Sequence, residues 1–148
     1  MDVLLNKMLD LIKSEAIVLD YDRLDFSTKK LYGVYFYERV RQKAFIVLER
    51  RIDTRPTLHR CVLAEELGHY FTVPCSKFTK PYVTYADRLK LTRDERRALS
   101  WAARFLISDD DLKEALAYRY RNLSDLAEHL GVTIEIARMR LEIHRMTA

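Results

Sequence analysis

Three ionisable side chains lie close together in the stretch Cys61-Val62-Leu63-Ala64-Glu65-Glu66-Leu67-Gly68-His69-Tyr70. On a helix, Glu65 and His69 share one face, about a turn apart, and Glu66 sits beside them, rotated by one residue. This is the layout of the H-E-x-x-H zinc helix. There, side chains at i and i+4 hold the metal and the acid at i+1 activates a bound water. Here Glu65 occupies the first ligand position in place of His. A Glu–His pair at this spacing is also a common exposed helix contact, so the pentapeptide alone leaves both readings open.

The flanking residues predict the helix that would position these groups. Pro56 suits a first helical position, and Asp53 or Thr54 just before it can cap. Residues 61 to 64 are four apolar side chains in a row, so much of the helix must be buried. Ionisable groups inside such a helix are costly unless paired or bound to a metal.

The totals bound the rest. A chain of 148 residues predicts one domain with a sizeable core. We read it as residues 1–55, an N-terminal helix and β-hairpin, followed by residues 56–148, the metal-site helices and a C-terminal helical hairpin. Apolar residues make up 49% and charged residues 32%, which is ordinary for a globular protein, and the presence of only three Gly and three Pro argues against long disordered linkers. The net charge of +4 is too mild to indicate nucleic acid by itself. Two cysteines, Cys61 and Cys75, are too few for a disulfide framework. Cys61 reads as a small core residue, and Cys75 as a free thiol in a loop. No signal peptide is recognised, and no apolar run approaches the ~20 residues that span a membrane. These features predict a cytoplasmic protein without membrane contact.

Along the chain, Leu4, Leu5, Met8, Leu11 and Ile12 fall on one face and predict an amphipathic helix over residues 3–14. Ala16-Ile17-Val18-Leu19 is a short β-type run, and residues 20–29 read as polar and turn-like. Residues 31–37 and 43–48 are rich in aromatic and β-branched residues and predict an antiparallel hairpin. The aromatics at 32 to 37 read as cross-strand packing in preference to base stacking. His59 reads as surface or structural. Residues 72–91 are the least patterned and read as a loop, with Pro74 ending the preceding helix.

Thr92, with Glu95 three residues later, predicts a capping box and a helix reaching about Ile107. Ser108 and the acids Asp109, Asp110 and Asp111 start a short helix, the acids serving its N-terminus. Residues 122–143 predict a helix pair in which Gly131 stops the first member and Thr133 caps the second. The pair looks like the first half of a helix-turn-helix, but Arg138 or Arg140 falls where an apolar residue is expected. A structural helical hairpin is preferred, and direct DNA binding is not expected.

The ordered set of segments resembles the ImmA/IrrE family of metallo-endopeptidases. Residues 61–72 are similar to its metal helix. Glu95-Arg96-Arg97-Ala98-Leu99-Ser100-Trp101-Ala102 is similar to its E-x-x-A-x-x-[FW]-A helix, and residues 126–133 to the segment that follows. The resemblance covers roughly residues 58–145. It implies an α+β, zincin-like fold: a small antiparallel sheet packed against the metal-site helix, with a C-terminal helical region. It also implies His69 as a zinc ligand, Glu95 as the third ligand and Glu66 as the general base. Glu65 departs from the family's usual His. Glu can still bind zinc through oxygen, and a ligand set of two carboxylates and one His would shift preference towards a harder metal such as manganese. The function so implied is metal-dependent cleavage of a protein substrate, such as the repressor of a prophage or mobile element. The alternatives are an inactive member acting as an interaction module and, third, a DNA-binding protein.

Overall fold

The computed structural model describes residues 2–26, 29–30, 32–73 and 85–147. These residues form an α+β fold, with a three-stranded mixed sheet, a separate two-stranded pair and six α-helices. Cys75 and Pro81 lie outside the described residues. No helix among those described is long and apolar enough to cross a membrane.

Helix α1 (Val3–Ser14) starts where the Asp2 carboxylate accepts a hydrogen bond from the Leu5 N–H at 3.0 Å, satisfying a donor that has no partner within the helix. It buries Met8 and Ile12. The strands are β1 (Val18–Asp22), the short pair β2 (Asp25–Phe26) and β3 (Lys29–Lys30), β4 (Gly33–Glu38) and β5 (Lys43–Glu49). Strand thus occupies part of the span read as polar turn. β4 and β5 form the expected antiparallel hairpin, with Gly33 opposite Leu48.

The sheet is not purely antiparallel, contrary to expectation. Its order is β1-β5-β4, and β1 runs parallel to β5, with Val18 opposite Phe45. A parallel partner must come from a distant stretch of chain, so no local pattern announces it. β5 alternates buried Ala44, Ile46 and Leu48 with half-buried Phe45 and Val47, so one sheet face lies on the core.

β4 is one of the two outer strands of this sheet. The Glu49 N–H donates to the Tyr32 carbonyl at 2.8 Å, and Tyr32 stands opposite Glu49 when the hairpin register is continued. Antiparallel pairs alternate between bonded and non-bonded. Gly33, Tyr35 and Tyr37 therefore turn their backbone N–H and C=O away from β5. Among the described residues, no strand pairs with that edge.

Helix α2 (Pro56–Thr72) packs under β4 and β5. Its N-cap is Arg55, which makes no side-chain capping bond, so neither Asp53 nor Thr54 has the expected role. The Thr54 hydroxyl instead donates to the Arg51 carbonyl, and Pro56, which has no N–H to satisfy, opens the helix. Residues Cys61, Val62, Leu63, Ala64 and Leu67 are all buried, as befits a helix enclosed by the sheet, α1 and its neighbours. Burying each large side chain stabilises by roughly 1.5–3 kcal/mol. That helps offset the cost of holding carboxylates partly out of water. Val73, which precedes Pro74, is extended and ends the helix, as a residue before proline favours.

Helix α3 (Tyr85–Leu106) lies along α2. It begins before Thr92, which sits inside it and is not its cap. The loop expected to Leu91 therefore gives way to helix from Tyr85. A Thr three residues before a Glu fits a capping box, but the same pattern is tolerated within a continuing helix.

The Ser108 hydroxyl caps α4 (Asp109–Ala117) at the Asp111 N–H. The Asn122 side chain caps α5 (Leu123–Leu130), and Gly131, at φ 67°, ends it in the left-handed conformation that glycine adopts without strain. Thr133 then caps α6 (Ile134–Thr147) through the Ile136 N–H. Arg140 is buried, bonded to the Ile107 carbonyl and the Asp109 carboxylate, so it fills an apolar slot with its charge satisfied. His59 is structural, buried with a 2.9 Å contact to the Tyr21 hydroxyl.

Candidate metal centre

Helix α2 carries Glu65, Glu66 and His69, and α3 carries Glu95. What brings the two helices close is Gly68. A β-carbon there would lie 2.3 Å from the Ala98 carbonyl oxygen and 2.9 Å from its Cα. Only a residue without a side chain permits this approach. His69 follows Gly68, and Glu95 lies one turn before Ala98, so the contact sets these two side chains against each other. His69 Nε2 stands 3.4 Å from Glu95 Oε1. The imidazole is 12% exposed and Glu95 59% exposed, so Glu95 forms the open rim of the site.

Glu65 and Glu66 are both half-buried, and each carboxyl is pushed up to about 7. For both, the main cause is burial, which disfavours the charged form. At Glu65 the negative charge of Glu95 adds to this, with a smaller push from Glu135 on α6. At Glu66, His69 pulls downward while Glu65 and Glu95 push upward. Burial by itself would lower the His69 pKa, but the Glu95 contact and the three surrounding carboxylates outweigh it and hold His69 above its usual range.

Gly33, at the start of β4, closes the site from the sheet side. A β-carbon there would come within 3.2 Å of Glu66 Oε1 and 2.6 Å of Val62 Cγ1. The bare backbone of the outer strand thus leaves room for the Glu66 carboxyl. Gly33 and Gly68 are the two positions that sequence reasoning missed. A signal existed: the chain has only three glycines, and glycine within a helix or strand costs roughly 0.5–1 kcal/mol. Each therefore needs a reason, but the reason lies in a neighbour distant in sequence.

The donor chemistry suits a divalent cation. Burial and neighbouring negative charge push the two carboxyls up to about 7, and added positive charge would favour their ionised forms and the neutral imidazole, which are the states that ligate a metal. The direct contact is between His69 and Glu95. Among the described residues, no three His, Cys, Asp or Glu side chains form a ready-made metal cluster.

A sequence profile of the IrrE N-terminal-like domain matches residues 21–142. The chain belongs to this family. The match runs from β1 into α6 and spans Glu65, Glu66, His69 and Glu95. The family is one of metallopeptidases, which accords with a protein substrate and a carboxylate–imidazole site. No curated protein sequence matches the chain significantly.

Proposed function

We propose that this chain is a metal-dependent endopeptidase, with zinc or manganese held by Glu65, His69 and Glu95. The observation that carries the reading is the meeting of His69 and Glu95. These side chains belong to helices far apart in sequence, and they come together on the one close approach that Gly68 permits. The bound metal would supply Lewis acidity to polarise the scissile carbonyl.

The chain's own groups do the rest. Glu66 carries a carboxyl that titrates at about 7, so near neutral pH it can accept a proton from the attacking water and return it to the leaving amine. The substrate lies extended along β4. There it meets the outward N–H and C=O groups of Gly33, Tyr35 and Tyr37 as an added strand. This lays a peptide bond beside Gly33, and so beside Glu66. The substrate class we assign is a protein regulator, of the kind represented by the repressor of a prophage or mobile element.

A second reading is favoured by Glu65 standing in place of His and by the direct His69–Glu95 contact. In it, the same fold binds its partner without cutting it. Metal content separates the two. Untagged protein should carry about one equivalent of zinc or manganese by mass spectrometry, and His69→Ala and Glu95→Gln should each lose it. Glu66→Gln should keep the metal and lower cleavage of an unstructured protein substrate by roughly 10²–10⁴-fold. Protein that takes up neither metal after incubation with both would reject the endopeptidase and leave the binding module.

A further inference from the structure

An open groove of about 650 Å³ runs between α3 and α6, starting at Thr72 at the end of α2. Its floor is apolar: Trp101 on α3, with Met139 and Ile143 on α6. Met146 is 82% exposed, so it belongs to the lip of the groove and contributes little to the core. The α3 bank carries Arg97 and Arg104. Neither has a hydrogen bond or ion pair among the described residues. Among the described residues, Glu142 is the only carboxylate lining the groove, and Arg96 already holds it at 3.1 Å. On the other flank of α6, a second groove carries Arg138 and Arg145, likewise without partners among the described residues.

This combination has a defined complement. A thioether and aliphatic floor takes up apolar side chains of varied shape. Guanidinium groups without partners along the bank call for carboxylates, which they bind through paired N–H groups. The groove follows two packed helices, a shape that receives the apolar face of a third. A nucleic acid would want ring faces along its track, and the floor offers a single indole among aliphatic and thioether groups.

We propose that the groove between α3 and α6 docks an acidic amphipathic helix of a partner protein. The groove lining includes Arg96, the residue after Glu95, but none of Glu65, Glu66, His69 and Glu95, so a docked helix lies next to the candidate metal centre without entering it. The inference does not depend on the metal or on catalysis.

Trp101 makes the test direct, because it is the chain's only tryptophan and lines the groove. The probe is a synthetic helical peptide of about 16 residues, long enough for four turns. It carries leucines at i, i+3, i+4 and i+7 with glutamates beside them, and no tryptophan. Titrating it into the full-length protein should produce a saturable change in Trp101 emission. A scrambled peptide of the same composition and a version with lysine for glutamate should produce none. The double variant Arg97→Glu/Arg104→Glu should bind at least ~10-fold more weakly. So should Met146→Glu, a substitution at an exposed position that leaves the fold intact. The proposal is overturned if the acidic peptide leaves the emission unchanged, if the variants bind it as the parent does, or if single-stranded DNA of equal charge binds as tightly.

Discussion

Gly68 and Ala98 touch so closely that a single β-carbon on Gly68 would lie 2.3 Å from the Ala98 carbonyl oxygen. His69, the next residue on α2, and Glu95, one turn before Ala98 on α3, meet at 3.4 Å. The bare glycine therefore does more than allow two helices to pack. It sets the separation between the groups that would share a metal.

Gly68→Ala is the sharpest probe of that relationship. Backbone lies in the path of the new methyl, so the helices must part, at a cost of roughly 1–3 kcal/mol. The variant should melt at a lower temperature and bind zinc more weakly, with Glu65, His69 and Glu95 all still present. Calorimetry alongside metal titration checks both. Unchanged zinc affinity in a destabilised variant would show that the helix separation does not govern the site.

Stability should depend on pH in a stated direction. Burial pushes the Glu65 and Glu66 carboxyls up to about 7 in the folded chain, well above the ordinary glutamate value of about 4.3. Between these values the unfolded chain holds fewer protons than the folded one, so stability falls as pH rises through the window. His69, held above its usual range, acts in the same sense as pH rises through its folded value. Metal-free protein should thus melt at a higher temperature near pH 5 than near pH 8, and Glu65→Gln/Glu66→Gln should flatten the slope. Zinc binds deprotonated donors and should therefore raise the melting temperature more at the higher pH. A slope that survives the double substitution would clear these carboxylates of causing it.

Gly33→Ala tests the sheet side of the site. The added methyl would press on Val62 and on the Glu66 carboxyl, and a small displacement of a reacting group can cost about 10²-fold in rate. Turnover should fall by ~10–100-fold with metal content preserved. Equal loss of metal and activity would mean that the substitution disturbs the ligands, and not the base.

The legible parts of this chain were those decided by neighbours in sequence. The β4–β5 hairpin, the α2 face bearing Glu65 and His69, the helix start at Ser108, the Gly131 stop and the Thr133 cap all follow from residues a few positions apart. What escaped was decided at a distance. The parallel seat of β1 depends on β5. The Thr92 pattern could not reveal that α3 was already under way. Arg140 could be recognised as misplaced, but its partners Ile107 and Asp109 are visible only once α4 folds back towards α6. The meeting of His69 with Glu95 came from the family's order of segments, because no helical period links α2 to α3.

The mixed sheet also imposes an order of assembly. β4 and β5 are joined by the short turn from Arg39 to Gln42, a closure that costs little chain entropy. β1 reaches β5 only across the whole span that includes β2, β3 and β4. The hairpin can thus form early, and the parallel strand joins after a larger loop has closed. The edge proposed to receive a substrate belongs to the quickly made half of the sheet, whereas β1 is the strand best placed to detach first when the fold loosens.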